Sequence, residues 1–383
     1  MMNERISKST TAPRAIDPNR LAESERRAVG FLKSQIGAGN YGLKCLGSDG
    51  SPRFSHDKGH AFSGYFLSRA LGGEISEVER SILIVRFQSE EYRGLWGYSP
   101  PAPYVSPSYW KFLVDADDTA FVIRTCRALG LHKSSTRLFS FHRKSWLRVL
   151  AKNGPEWLLG RWGPKGGFRT FASRVRARLV FEPTPANNLQ IHPEVNLNVF
   201  LALRQTALEN TIDYELVRRS QHDDGHWHSY FYPSRYYGTW MALELIRDQP
   251  SLKSMRDRAR RFLGSSQADD GTWGDDGNAY ETALACLGLQ ASGEDEGALG
   301  KAIASLLDSQ RDDGSWQTDQ EIWRFHASAD DVWRAFDTNR VVTTSLVRCA
   351  LRQHARGVAG EWFLPAMSGN GIWPYRTGRI QAC

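Results

Sequence analysis

The stretch Gln221-His-Asp-Asp-Gly-His-Trp227 follows the pattern Q-x-D-D-G-x-W, which returns at Gln267–Trp273 and Gln310–Trp316. The three copies start 46 and 43 residues apart, a period typical of chains built from repeated supersecondary units. Asp-Asp-Gly within each copy favours a tight turn, because glycine readily takes a positive φ. Weaker copies occur earlier, at Gln35–Tyr41 and at Gln88–Trp96. The pattern therefore predicts a repeat array.

Each strong copy lies between two predicted helices of different character. The helix before the glutamine has a charged face, whereas the helix after the tryptophan is apolar and rich in small residues. This alternation favours an outer ring of helices packed around an inner ring. The outer helices are predicted at about 19–35, 76–88, 135–151, 211–221, 251–267 and 297–310, and the inner helices at about 60–71, 116–130, 193–205, 236–247, 279–290 and 339–352. Six pairs predict an all-α fold with few strands, an (α/α)6 barrel of residues 18–383 behind a flexible polar leader of residues 1–17.

Three carboxylates, those of Asp115, Asp117 and Asp118, come within four residues directly before an apolar helical run. One interpretation is helix capping, in which Asp115 accepts an N–H of the first turn and the helix dipole favours the other two. The other interpretation is an acid, because clustered and buried carboxylates raise at least one pKa by repulsion and desolvation. These residues alone leave both interpretations open.

The composition restricts the partners. The 383-residue chain has a net charge of +7 and a pI near 9.2, which suits a phosphorylated small molecule, a nucleic acid or an acidic membrane surface. The basic run Arg161–Arg178 lacks the context of a nucleic-acid-binding motif, so no nucleic-acid partner is expected. Five cysteines without a C-x-x-C favour reduced thiols and a cytoplasmic protein. No apolar run approaches the roughly 18 residues of a transmembrane helix.

Together, the repeats and the sequence Asp115-Ala-Asp-Asp-Thr-Ala120 resemble the squalene–hopene cyclase and class II terpene cyclase superfamily. Glu194–Leu203 is similar to the Asn-x-Asn helix of bacterial class II diterpene cyclases, Gly166–Phe171 to a loop before it, and Tyr232–Thr239 to an aromatic Tyr-Tyr-x-Thr segment. The resemblance covers about residues 85–352. Family members usually carry a second helical domain inserted between the first helices of this barrel, and Gln35–Gln88 leaves no room for one.

The resemblance implies a reaction in which Asp117 protonates a terminal alkene and Asp115 and Asp118 hold and tune its carboxyl group. His192 would orient the acids, and Asn196 or Asn198 would face the cavity near the final base or water. The implied substrate is a prenyl diphosphate of farnesyl or geranylgeranyl type, cyclised with its diphosphate retained and helped by Mg2+. The predicted substrate contacts are aromatic and cationic residues near the expected barrel mouth: Phe62, Tyr65, Trp110, Tyr236, Tyr237, Trp240, Lys58, Arg169, Arg235 and Arg340.

Other functions stay open at this stage. A protein prenyltransferase β-subunit shares the barrel but needs a zinc site of Asp, Cys and His, which no matching D-x-C supplies. A carbohydrate-active (α/α)6 enzyme could recruit Asp330 and Asp331, or Asp275 and Asp276, but does not need the repeats. A non-catalytic isoprenoid-binding subunit, or one half of a two-chain cyclase, would explain the missing domain. The resemblance thus leaves room for a partner chain, a phosphatase or a homo-oligomer that completes the site.

Overall fold

The computed structural model describes residues 16–53, 59–90, 96–97, 115–130, 167–171, 191–204, 208–293, 296–326, 328 and 330–358. Its helices are α1 (Pro18–Ala38), α2 (His60–Leu71), α3 (Glu77–Glu90), α4 (Ala116–Ala128), α5 (Pro193–Leu203), α6 (Tyr214–Arg219), α7 (Arg235–Ile246), α8 (Lys253–Ser265), α9 (Ala279–Ser292), α10 (Glu296–Asp308) and α11 (Val341–Val358). Short 3-10 turns occupy Gly72–Glu74, Glu209–Thr211, Pro250–Leu252 and Asp275–Gly277.

Six of these helices form a closed inner ring. Each packs against the next in the order α2, α4, α5, α7, α9 and α11, and α11 packs back against α2. Their side chains are buried on nearly every face, as in α9, where every residue from Ala279 to Ala291 is buried. A helix covered on the outside by other helices and on the inside by the opposite wall must be apolar all round. The predicted all-α barrel is confirmed, with all six inner helices where the sequence places them.

The outer helices α1, α3, α6, α8 and α10 pack against the inner ring and are amphipathic. In α8, only Met255, Ala259, Phe262 and Leu263 are buried, whereas the arginines are half-buried or exposed. The outer helix predicted at 135–151 lies outside the described residues. Within the described ranges, no helix is both long enough and apolar enough to cross a membrane.

The glutamine of each strong repeat ties its own turn to the next outer helix. Gln221 Nε2 donates to the carbonyl oxygens of Gly225 at 2.9 Å and of Met255, in α8, at 3.0 Å. The middle copy makes the same two bonds. In the last copy, Gln310 Nε2 donates to the carbonyl of Ser24 in α1 at 3.0 Å. The bond from Gln310 therefore closes the barrel, because it joins the last repeat turn to the first helix.

The repeat tryptophans link the same turns to the inner ring. Each backbone N–H donates to a threonine hydroxyl of the following inner helix, and each indole N–H donates to a carbonyl of the preceding outer helix. The first kind of bond joins Trp96 to Thr119, Trp227 to Thr239, Trp273 to Thr282 and Trp316 to Thr344 at 3.0–3.1 Å. The weak copy at Gln88–Trp96 is therefore a member of the array. Its threonine is the one that follows the aspartate cluster, so the repeat also positions that cluster.

A small antiparallel sheet was not predicted. It contains β1 (Lys44–Leu46), β2 (Glu321–His326) and β3 (Val332–Phe336) in the order β1-β3-β2. The strands are short, and β1 lies far from its partner β3 along the chain, so local sequence patterns give little sign of the pairing. The sheet matters for the site because the N–H of Arg324 donates to the carbonyl of Phe231 at 2.8 Å.

Candidate active site

The aspartate cluster forms the first turn of α4. Asp115 is its N-cap, with Oδ1 accepting the N–H of Asp118 at 2.7 Å. The backbone N–H of Asp115 donates to the carbonyl of Trp96 at 2.9 Å, and that of Ala116 donates to the carbonyl of Thr170 at 2.8 Å. Two separate segments of the chain therefore hold this helix start in place, and the capping interpretation is correct for Asp115.

The carboxyl group of Asp117 is buried and accepts two hydrogen bonds. The Tyr232 hydroxyl donates to Oδ2 at 2.5 Å, and Asn198 Nδ2 donates to Oδ1 at 2.8 Å. Burial raises the pKa of Asp117 to about 7, the charges of Asp115 and Glu194 act in the same direction, and the two hydrogen bonds oppose them. Near neutral pH, a substantial fraction of this carboxyl group is therefore protonated, unlike that of an ordinary aspartate.

The amide of Asn198 is oriented by a buried ion-pair network. Its Oδ1 accepts a hydrogen bond from Arg124 Nη1 at 2.7 Å, and a guanidinium can only donate. This fixes the amide so that Nδ2 faces the acid. Arg124 also donates to the Tyr65 hydroxyl and lies 3.5 Å from Glu244, which binds Arg69 at 2.8 Å. Tyr65, predicted to touch substrate, is thus part of this supporting network.

Of the two asparagines, one of which was predicted to point inward, Asn198 contacts Asp117 and Asn196 binds the backbone of Phe168 instead. Asn196 Oδ1 accepts the N–H of Phe168 at 2.6 Å, and its Nδ2 donates to the carbonyl of Phe168 at 2.9 Å. Side chains two positions apart on a helix face different directions, so only Asn198 can point to the acid. Asn196 instead supports the loop 167–171, which in turn binds the start of α4.

His192 is linked to the aspartate cluster through Thr170. Its Nδ1 lies 2.6 Å from the hydroxyl of Thr170, the residue whose carbonyl binds the N–H of Ala116. Burial lowers the pKa of His192 to about 4, so the imidazole is neutral at physiological pH. The ring also stacks on Tyr230 with centroids 4.9 Å apart. The contacts described for His192 fit a residue that positions the helix start.

Two residues of the site, Tyr232 and Glu194, were not predicted from the sequence. Glu194 is fully buried, and its Oε1 accepts the N–H groups of Tyr230 at 2.8 Å and Phe231 at 2.9 Å. Its Oε2 has no hydrogen-bond partner among the described residues, and burial raises its pKa to about 7. A glutamate in the first turn of a buried inner helix was the available signal. Tyr232 begins a segment that the sequence singled out, but its contact with Asp117 depends on the tertiary fold.

Aromatic rings surround the acid. Tyr237 stacks on Tyr232 with centroids 4.1 Å apart, and Phe62 stacks on the same ring at 5.5 Å. Phe62 also meets the edge of Phe121 at 5.2 Å, and Trp240 meets Tyr237 edge-on at 6.1 Å. Of the aromatic residues predicted to contact substrate, Phe62, Tyr237 and Trp240 therefore lie in the cluster next to Asp117.

Tyr236 and Arg235 lie at the start of the inner helix α7, as predicted, but away from the aromatic cluster next to Asp117. Tyr236 stacks on Phe262 of α8 at 5.8 Å, and the Arg235 guanidinium lies 5.8 Å from the same ring, so both face the outer helices. They border a cleft of about 360 Å³. Its charged lining residues are Arg235, Arg324, Asp275, Glu281 and Glu321. Because acids outnumber cations there, the cleft is a poor diphosphate site.

The other predicted cations are not beside the acid either. Arg340 pairs with Asp313 at 2.7 Å and donates to the Ser315 hydroxyl at 2.7 Å, so it belongs to the turn of the last repeat. Arg169 is exposed on the loop 167–171. Lys58 and Trp110 lie outside the described residues.

In the described part of the chain, the cleft beside Arg235 carries three carboxylates, those of Asp275, Glu281 and Glu321. Among the described residues, the group of metal-ligating side chains close enough to share an ion consists of His222, His226 and His228. Mg2+ prefers oxygen ligands and often binds through the phosphates of a substrate. This group of histidines therefore does not suit Mg2+, which one or two carboxylates and a diphosphate would hold instead.

Comparison with known proteins shows related sequences. The family model for the squalene-hopene cyclase C-terminal domain matches residues 101–325. Squalene–hopene cyclase of Bradyrhizobium diazoefficiens is 25% identical over 269 residues, which cover 60% of this chain and 38% of that protein. Drimenyl diphosphate synthase of Streptantibioticus cattleyicolor is 25% identical over 217 residues, which cover 53% of this chain and 36% of that protein. The chain thus spans well under half the length of the curated relatives that it matches.

A solved structure shares the fold over its whole length. It is a type II terpene cyclase from Scytonema in complex with geranylgeranyl dihydroxybenzoate, with a TM-score of 0.65 and 18% identity, covering 88% of this chain and 98% of that one. The family model covers more than half of the present chain and includes both the aspartate cluster and all three strong repeats. The chain therefore belongs to the squalene-hopene cyclase C-terminal domain family, within the class II terpene cyclases.

Proposed function

We propose that this chain is a class II cyclase that protonates the terminal alkene of a linear prenyl diphosphate, of farnesyl or geranylgeranyl type, and leaves the diphosphate attached. The carboxyl group of Asp117 is the observation that carries this proposal. It is buried, its pKa is raised to about 7, and it lies among stacked aromatic rings. A buried acid that keeps its proton near neutral pH is what protonation of an alkene requires.

The residues around Asp117 suit both products of the proton transfer, the carboxylate and the carbocation. As the O–H bond of Asp117 breaks, the alkene π bond takes the proton, which leaves a carbocation and a carboxylate. The Tyr232 hydroxyl and the Asn198 amide donate to the two carboxylate oxygens and stabilise this conjugate base. The faces of Phe62 and Tyr237 can stabilise the cation by roughly 0.5–2 kcal/mol each without removing a proton from it. The next double bond of the chain then attacks the cation and closes a ring, and the new cation finally loses a proton to a base or takes up water.

The relatives support a substrate with a prenyl chain, but they differ in the polar group at the end of that chain. One is named for a diphosphate product, and the Scytonema cyclase was solved with a geranylgeranyl dihydroxybenzoate. The squalene–hopene cyclases are named for a hydrocarbon substrate without a charged end. The net charge of +7 favours an anionic end for this chain's substrate. Mg2+ would enter with the diphosphate, whose oxygens suit it.

The test uses purified full-length protein with farnesyl diphosphate, geranylgeranyl diphosphate, geranylgeranyl dihydroxybenzoate and squalene, each with and without Mg2+. Products are dephosphorylated where needed and identified by mass spectrometry. We expect a cyclised prenyl diphosphate that disappears in Asp117→Asn. Asp269→Asn, a change at an exposed repeat turn, is the matched control and should keep full activity. Cyclisation of the benzoate or squalene alone would contradict the diphosphate part of the proposal.

The alternative is a non-catalytic isoprenoid-binding or partner subunit of a two-chain cyclase. This alternative is supported if the chain alone consumes no substrate but cyclisation starts when a co-encoded partner or phosphatase is added. Size-exclusion chromatography with light scattering would show whether a homo-oligomer or a second chain completes the site. A cytoplasmic location is part of the proposal and is supported by the five cysteines without C-x-x-C spacing.

A further inference from the structure

The first strong repeat carries three histidines outside the site described above. His222, His226 and His228 each offer a ring nitrogen, and these nitrogens lie within 4.8 Å of one another. They lie on the turn between α6 and α7, and the side chains of His222 and His228 are exposed. We infer that these three histidines bind a borderline transition-metal ion of the Zn2+ class.

The repeat fold does not require these histidines. The equivalent residues are Ala268, Thr272 and Gly274 in the second strong copy and Arg311, Ser315 and Gln317 in the third. All three turns nevertheless close in the same way, through a backbone N–H···O=C bond of 2.8–3.0 Å between the first and second positions of each set. Because the turn forms equally well with other residues at all three positions, the presence of the histidines needs an explanation other than the turn itself.

The backbone already brings the three rings together. The N–H of His222 donates to the carbonyl of His226 at 2.8 Å, and a bridge pairs Gln221 with Trp227, so the chain doubles back on itself. The rings of His222 and His226 stack with centroids 4.4 Å apart, and His228 meets His222 edge-on at 5.9 Å. Tetrahedral Zn2+ with Zn–N bonds of 2.0–2.1 Å needs nitrogens ~3.3 Å apart. The nitrogens, which now lie within 4.8 Å of one another, would have to move closer together on binding the ion.

Asp224 fixes the ring of His226 in the way that metal sites use. Its Oδ1 lies 2.6 Å from His226 Nδ1 and accepts the backbone N–H of His226 at 3.2 Å. The corresponding aspartates of the other copies bind a threonine or serine hydroxyl at this point. A hydrogen bond from Nδ1 to a carboxylate leaves the lone pair of Nε2 available. Metal-ligating histidines are commonly oriented by such a carboxylate.

The ligand set selects the class of metal. Three imidazoles suit Zn2+, Co2+, Ni2+ or Cu2+, whereas Mg2+ and Ca2+ require oxygen ligands. Three protein ligands on an exposed turn leave at least one coordination position for water. This site is therefore chemically distinct from the Mg2+ that would accompany a diphosphate.

The metal would also hold one end of the segment that carries Tyr232. This segment follows His228 directly, and the N–H groups of Tyr230 and Phe231 within it bind Glu194. A ligand that binds the folded turn and not the unfolded chain raises stability by mass action. We therefore expect Zn2+ to raise the Tm of the protein and to slow amide exchange in this segment.

The experiment titrates Co2+ into full-length, chelator-treated protein without an affinity tag, and follows the visible absorption of the bound ion. We expect one equivalent to bind. The triple variant His222→Ala, His226→Thr, His228→Gln carries residues that the other copies use at these positions, so it should fold, and it should lose both the Co2+ signal and the Zn2+-dependent rise in Tm. His326→Asn is the control for loss of a histidine elsewhere and should bind like the wild type.

Asp224→Asn separates a built site from chance proximity of three rings. The amide oxygen can still accept the backbone N–H, but the charge that orients His226 is gone, so affinity should fall about 10–100-fold. Equal Co2+ binding by the wild type and the triple variant would overturn the inference, as would a wild type that binds no stoichiometric Co2+. None of these measurements depends on cyclase activity.

Discussion

The hydroxyl of Tyr232 lies 2.5 Å from Oδ2 of Asp117, although 115 positions separate the two residues in sequence. Each side of this contact is held independently. The N-cap at Asp115 fixes the helix start that carries the acid, and the Phe231 backbone before the tyrosine binds both Glu194 and Arg324. The phenol therefore opposes the effect of burial on the acid, and its loss should be visible in the pH dependence of the reaction.

Replacing Tyr232 with phenylalanine removes one of the two donors to the Asp117 carboxylate. The pKa of Asp117 should rise above about 7, so the plateau of kcat should extend to higher pH. On that plateau, kcat should fall about 10–100-fold, because a hydrogen bond to a charged group contributes roughly 1.5–3 kcal/mol. The pH profile of kcat checks both effects.

Tyr237→Phe is the matched control for that profile. Tyr237 stacks on Tyr232 at 4.1 Å, but its hydroxyl has no hydrogen-bond partner among the described residues. Removal of this hydroxyl should leave the midpoint of the pH profile of kcat unchanged. If both variants shift the midpoint equally, the Tyr232 hydroxyl does not tune the acid.

Arg124 should matter for activity although it does not touch Asp117. In Arg124→Met, the Asn198 amide loses the donor that orients it, so its Nδ2 no longer faces the acid reliably, and kcat should fall about tenfold or more. Arg69→Met is the control, because Arg69 binds the same Glu244 without contacting Asn198. Breaking either buried ion pair should cost about 3–5 kcal/mol of stability. Comparable losses of kcat in the folded fractions of both variants would show that Arg124 acts through the Glu244 network that it shares with Arg69 and not through the orientation of Asn198.

The barrel was predictable because its signals are local. The 3.6-residue periodicity, the apolar runs and the Asp-Asp-Gly turns predicted all six inner helices, although α11 continues beyond the predicted end at 352 to Val358. Contacts between distant segments were not predictable in this way. Helix geometry indicated that Asn196 and Asn198 diverge, but only the packing of α5 against α4 decides which of them meets the acid. The same limit applies to Tyr232, and to β1, whose partner β3 lies near the other end of the described chain.

Asp117→Asn should stabilise the protein at high pH. Between about pH 4 and 7 the unfolded chain ionises this group while the folded protein keeps the proton, so folding stability falls as pH rises and the cost is complete above about pH 7. The gap between a pKa of roughly 3.9 in the unfolded chain and about 7 in the folded protein corresponds to roughly 4 kcal/mol. Asparagine does not titrate and avoids this cost.

Urea unfolding of Asp117→Asn and wild type at about pH 4, 6 and 8 measures this difference. The advantage of the variant should grow by a few kcal/mol from the lowest pH to the highest, because groups that do not interact with Asp117 titrate alike in both proteins and cancel. A difference that stays constant with pH would show that Asp117 ionises normally in the folded state, and would remove the physical basis for its role as the acid.

The closure of the barrel can be tested at two glycines that both have a positive φ. Gly314, with φ +86°, lies in the last repeat turn, and a Cβ there would come within 2.5 Å of the Arg27 carbonyl in α1. Gly293, with φ +96°, ends α9, and a Cβ there would meet nothing within 4 Å. Gly293→Ala should cost only the backbone penalty of roughly 1–2 kcal/mol, whereas Gly314→Ala should cost about 1–3 kcal/mol more, because α1 must move away from the turn that Gln310 ties to it. Denaturant unfolding of the two variants gives this difference directly, and equal losses would mean that the close approach of the last turn to the first helix does not stabilise the ring.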